Sequence, residues 1–122
     1  MPDPLPCYAA ADAFVLPTWY DACSLTVLEA CACGLPAVTT RCNGASELLV
    51  HGRDGFVLDD PADVPALAAL VKLAIDARES GRLGRAARDV ALRHTLDRNV
   101  DAIENAYAEA IERRASARRH AA

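Results

Sequence analysis

Three short apolar runs stand out along the chain, at positions 13–16 (Ala-Phe-Val-Leu), 36–40 (Pro-Ala-Val-Thr-Thr) and 55–58 (Gly-Phe-Val-Leu). None alternates with polar residues. Continuous apolar runs of this length mark strands covered on both faces, so they predict a parallel sheet. Helical signals fill the gaps. Positions 24–33 are apolar almost throughout, and Gly34-Leu35-Pro36 stops a helix there. Such an all-round apolar helix is expected to be buried. Positions 46–50 predict a short helical turn. Asp63 is placed to cap a further helix, in which Val64, Leu67, Val71, Ala74 and Ile75 keep helical spacing. Ser80-Gly81 breaks that helix. Another spans 82–94, with Leu83, Ala87, Val90 and Ala91 on one face. Asp97 then caps the last, which carries Val100, Ile103, Tyr107, Ala110 and Ile111. Strands separated by helices predict the α/β class, as a three-layer α/β/α unit over 1–95, followed by a C-terminal helix and basic tail over 96–122.

Composition narrows the function classes. A chain of 122 residues suits one domain or part of one. With 17 acidic against 13 basic residues its net charge is −4, which argues against a nucleic-acid partner. Aromatics make up only 5%, too few for a base-stacking platform. The five cysteines are odd in number, and Met-Pro-Asp-Pro-Leu-Pro is not a secretory signal. Reduced, small buried thiols in the cytoplasm are therefore expected. Cys31 and Cys33 are two apart, a spacing that does not share a helix face, so zinc is disfavoured. Only Glu29 is charged between positions 22 and 40, but Gly34 and Pro36 interrupt that run, so it is not a membrane span. The basic segment 113–120 reads as a solvated helix end, with peripheral contact to an anionic membrane as the alternative.

The chemistry concentrates after the first strand. Positions 16–24 leave a strand's carboxyl end and enter a helix, and ligands bind at that edge of open α/β sheets. A helix N-terminus presents unpaired amides and partial positive charge, which suits a phosphate. Ser24 is placed as the N-cap. Glu29 is the helix's single charge. It either reaches solvent or an arginine, or it is a carboxylate for hydroxyl donors such as a sugar or ribose diol. Asp21 lies eight residues earlier, just outside the same helix. Two acids with helix amides between them suit a nucleoside diphosphate sugar, although two acids eight apart also arise by chance.

The wider context resolves this. Positions 21–38, Asp-Ala-Cys-Ser-Leu-Thr-Val-Leu-Glu-Ala-Cys-Ala-Cys-Gly-Leu-Pro-Ala-Val, closely resemble the acid-x7-Glu signature of the "group 1" retaining glycosyltransferases of GT-B fold. The lead-in 8–18 and the sequel Asn43-Gly44-Ala45-Ser46-Glu47, then Gly52-Arg53-Asp54-Gly55-Phe56-Val57, are similar too. The resemblance covers about residues 6–62. It implies a partial Rossmann-like sheet, the second half of the C-terminal, donor-binding domain. It implies that Glu29 binds the ribose hydroxyls and that Asp21 holds donor-sugar hydroxyls beside the reacting carbon. Backbone amides of Ala22, Cys23, Ser24 and Leu25 would hold the sugar and the distal phosphate. No metal and no cofactor is implied, and the chain contains no Asp-x-Asp, Gly-x-Gly-x-x-Gly or Gly-Lys-Ser/Thr motif. Asp21 stands where the family more often has Glu, one methylene longer, and Ala22 and Cys23 replace the usual Pro or Gly. Glu47 reads as a helix-start acid, and His51 and His94 as non-catalytic.

The resemblance also implies missing parts: an N-terminal acceptor-binding domain and the first half of the donor domain, which usually brings the cations for the diphosphate. Arg41 and Arg53 match neither of those positions. The chain is expected to bind a nucleoside diphosphate sugar and to serve an acceptor that the sequence does not identify. Lacking a neighbour for its first strand, it is expected to self-associate or to form a loosely packed monomer. The alternatives are a non-catalytic remnant or interaction module of the same fold, and a GT-B-type sugar-nucleotide epimerase.

Overall fold

In the computed structural model, which describes residues 3–77 and 81–120 with the side chains of 118–120 left aside, three parallel strands are flanked by helices. The strands are β1 (Phe14–Leu16), β2 (Ala37–Thr40) and β3 (Phe56–Leu58), in the order β1-β2-β3. Phe14 pairs with Ala37 and Val38 with Phe56, so each apolar run aligns with the next. Helix α1 (Leu5–Ala10) precedes β1, and α2 (Leu25–Ala32) joins β1 to β2. A 3-10 turn, Gly44–Leu48, lies between β2 and β3; α3 (Val64–Asp76), α4 (Arg82–Arg93) and α5 (Leu96–His120) follow.

The sheet is covered on both faces, which is why its strands need no polar alternation. Val27 and Cys31 of α2, and Ala87 and Val90 of α4, pack with Ala37, Phe14 and Leu16. Leu67, Leu70, Val71 and Ala74 of α3 pack with Val38 and Phe56, joined by Leu83 of α4. The three-layer expectation is met. The inner face of α3 is rotated from the expected one: Val64 and Ile75 are exposed, and Leu70 is turned inward instead. Where α2 meets α4, glycines permit close approach. A Cβ on Gly84 would stand 2.3 Å from the Gly34 carbonyl oxygen.

Helix starts follow capping chemistry. Asp63 accepts from the Ala66 amide at 2.9 Å, as expected. Asp97 is not a cap: the Thr95 hydroxyl accepts from the Arg98 amide, and Asp97 falls inside the first turn of α5. Short α1 was not expected; Asp3 accepts from the Leu5 amide at 3.0 Å and proline occupies its first turn. Gly81 has φ +60°, suiting the break placed there, while Ser80 lies outside the described residues. The chain divides into units 1–92 and 93–122. In the second, Val100, Ile103, Tyr107 and Ile111 of α5 are exposed. Among the described residues no helix is long and apolar enough to cross a membrane.

Candidate functional site

The carboxyl end of β1 is pinned by its neighbour. Thr39 and Thr40 of β2 are buried, and a polar group in such a place must be paired. Their hydroxyls donate to the carbonyls of Leu16 (3.1 Å) and Thr18 (2.6 Å). Beyond this anchor the chain turns through Trp19 and Tyr20, both exposed, to Asp21. Asp21 then pairs with Asn43 in a parallel bridge: its amide donates to Cys42, and its carbonyl accepts from Gly44 at 2.9 Å. The loops after β1 and β2 are thus sewn together at the edge where such sheets bind ligands.

Asn43 is the hub of this seam. It is fully buried. Its Oδ1 accepts from the amides of Ser24 (3.2 Å) and Ala45 (3.0 Å), and its Nδ2 donates to Thr39 Oγ1 at 3.0 Å. Gly44 is required beside it. A Cβ there would stand 1.9 Å from the Ala22 carbonyl oxygen, a backbone clash that no rotamer relieves.

These bonds decide which amides at the start of α2 remain available. The resemblance implied Ala22, Cys23, Ser24 and Leu25, but two of these are already used. The Cys23 amide donates to Asp21 Oδ1 at 3.1 Å, and that of Ser24 goes to Asn43. Among the hydrogen bonds of the described residues, the amides of Ala22, Leu25 and Thr26 have no acceptor. Ser24 holds the N-cap position, yet its hydroxyl bonds Thr26 Oγ1 (2.8 Å) rather than a helix amide.

Helix α2 is not buried all round, contrary to its composition. Val27, Ala30 and Cys31 face the core, while Leu25, Thr26, Glu29, Ala32 and Cys33 form an exposed stripe. Glu29 therefore stands on an open face. Among the described residues it pairs with no arginine, but it does not stand alone: its Oε2 accepts from the Tyr8 hydroxyl at 2.8 Å. Burial, then the bond to Glu29 and its charge, push the Tyr8 phenol up to about 12. Asp21 is half-buried, one turn's length before α2.

Other expected roles shift or stay. Four thiols, Cys7, Cys23, Cys33 and Cys42, are exposed, and only Cys31 is buried as expected. Burial, with the nearby Asp54 charge, pushes the Cys31 thiol up to about 12. Arg41 pairs with Asp59 (Nε to Oδ1, 2.8 Å) and Arg53 with buried Asp54 (2.7 Å), so both cations are engaged. Glu47 lies in the first turn of the 3-10 segment. His51 Nδ1 accepts from the Val57 amide at 3.2 Å, and its ring meets Phe56 edge-on. A concavity of about 520 Å³ lies among Arg41, Glu47, His51 and Asp59; neither Asp21 nor Glu29 borders it.

The chain as a whole is similar to known proteins. A model of the family described as "Glycosyl transferases group 1" matches residues 1–76. A D-inositol 3-phosphate glycosyltransferase of Stackebrandtia nassauensis is 33% identical over 108 residues, 88% of this chain and 24% of that protein. Among solved structures, a sucrose-phosphate synthase from Thermosynechococcus elongatus superposes with TM-score 0.76 at 22% identity, over 87% of this chain and 27% of its own. Anabaena HepE in complex with UDP-glucose superposes with TM-score 0.62 at 22% identity, over 76% and 26%. The chain spans about a quarter of the length of these proteins. The GT-B-type α/β fold expected from the resemblance is borne out.

Proposed function

The chain belongs to the group 1 glycosyltransferases, and from that premise we propose that it provides the donor side of a retaining sugar transfer from a nucleoside diphosphate sugar. Glu29 takes the ribose hydroxyls, and Asp21 takes hydroxyls of the sugar that is transferred. The distal phosphate rests on the unengaged amides of Ala22, Leu25 and Thr26. The observation that carries this reading is the sewn seam at the start of α2. It fixes Asp21 just before a helix start whose amides are partly unspent, and Glu29 follows on the exposed face of that helix. With Arg41 and Arg53 paired with Asp59 and Asp54, what this chain itself offers the phosphate is those amides and the helix dipole. The structure of Anabaena HepE with UDP-glucose supports the ligand class.

Binding of UDP and UDP-glucose to the 122-residue chain tests the assignment. Glu29→Gln should weaken both ligands by ~1–3 kcal/mol, the range for a charge-assisted hydrogen bond. Asp21→Ala should erase the extra affinity of UDP-glucose over UDP and spare UDP itself. Unchanged binding in a folded Glu29→Gln variant would remove Glu29 from the site.

A further inference from the structure

Glu29 projects from an exposed helix face, where a glutamate ordinarily samples several rotamers. Here one oxygen is held. The Tyr8 hydroxyl reaches Oε2 from α1, 21 residues away in sequence, at 2.8 Å. Tyr8 is itself anchored: it is half-buried, and its ring lies 6.1 Å from that of Phe14 at the start of β1. A carboxylate offers about four acceptor positions, and the phenol uses one. Oε1 and the second lone pair of Oε2 remain for other donors.

We propose that Tyr8 is a positioning residue for the donor nucleotide: its hydroxyl fixes the Glu29 carboxylate in the orientation that accepts the two vicinal hydroxyls of a ribose. This rests on the reading of Glu29 given above. The phenol keeps its proton, and hence its donor role, through the neutral and mildly alkaline range, since it is pushed up to about 12. As a positioning residue Tyr8 acts on the nucleotide only by way of Glu29, so its effect must pass entirely through that carboxylate. It must also depend on the diol.

Both requirements are measurable on the 122-residue chain by calorimetric or NMR titration with UDP and 3′-deoxy-UDP. Tyr8→Phe keeps the ring against Phe14 and removes only the hydroxyl. It should weaken UDP roughly two- to ten-fold, the range for one net hydrogen bond, and leave 3′-deoxy-UDP nearly unchanged. In a Glu29→Ala background, which leaves the Tyr8 hydroxyl no acceptor at that position, the same substitution should have no further effect, the signature of coupling through one group. An equal loss for both nucleotides, an additive loss in the double variant, or unfolding of Tyr8→Phe would overturn the inference. If Glu29→Gln abolishes the preference for UDP while Tyr8→Phe preserves it, the inference about Tyr8 fails alone. If wild type and Glu29→Gln bind the two nucleotides alike, the assignment of Glu29 fails first.

Discussion

Removing the Asn43 side chain isolates the seam that positions the site. Asn43 is 0% exposed, and its amide group serves three partners: the amides of Ser24 and Ala45, and the hydroxyl of Thr39. In Asn43→Ala, the Ala45 and Ser24 amides lose their acceptor, in surroundings where Ala45 is 0% and Ser24 8% exposed. Each orphaned buried donor costs about 1–3 kcal/mol. Thr39 loses less, because its hydroxyl still donates to the Leu16 carbonyl. The sum is roughly 2–6 kcal/mol, which for a unit of this size lowers Tm by on the order of 10–30 °C. Asn43→Asp should not rescue it. Aspartate restores the acceptor for the two amides, but its second oxygen would face Thr39 Oγ1, whose only proton is already given to Leu16. Thermal and urea melts of the 122-residue chain, followed by circular dichroism, read both variants. A loss below ~1 kcal/mol in Asn43→Ala, or full recovery in Asn43→Asp, would refute this account of the seam.

Three further outcomes are expected. Gly44→Ala places a Cβ 1.9 Å from the Ala22 carbonyl oxygen, so the Asp21 loop must shift; a destabilisation of ~1–3 kcal/mol and weakened UDP-glucose binding should show in melts and titrations. Native alkylation with iodoacetamide should modify Cys7, Cys23, Cys33 and Cys42 while Cys31 reacts only after denaturation, as mass spectrometry of the labelled peptides would read. Stability should also fall in alkali. Cys31 rises from 9.0 and Tyr8 from 10.0, each to about 12 on folding, so their contributions are intact below those unfolded values. They are lost as pH climbs towards 12, because the unfolded chain releases these protons first. Urea midpoints from pH 8 to 11 should drop in wild type, and above pH 10 they should drop less in Tyr8→Phe.

Much of this fold was legible because its signals are local. Each strand is an unbroken apolar run closed by glycine, proline or a polar turn, and each was found to within one residue. The face of α4 was readable from the spacing of Leu83, Ala87 and Val90, which are all buried. Helix α1 was not readable: it has six residues and buries none of them, so it prints no periodicity. Composition misled at α2. Leu25, Ala32 and Cys33 are apolar yet exposed, since hydrophobicity states a preference for cover and does not supply it. The exposed thiols were misjudged for the same reason. Asp21 and Glu29 were singled out through a family resemblance rather than through their spacing. Asn43 was visible only as part of an Asn-Gly turn signal. Its role as a buried hub depends on two loops meeting, and the bond from Tyr8 to Glu29 on α1 meeting α2; neither is encoded by neighbouring residues.

The account rests on the start of α2 being the donor site, and an amide-resolved NMR titration of the 122-residue chain with UDP-glucose tests that most directly. Shift changes are expected to concentrate at the amides of Ala22, Leu25 and Thr26, with smaller ones at Asp21, Glu29 and the Asn43–Gly44 seam. Changes centred instead on the concavity at Arg41, His51 and Asp59, or an unperturbed α2 at millimolar ligand, would contradict it.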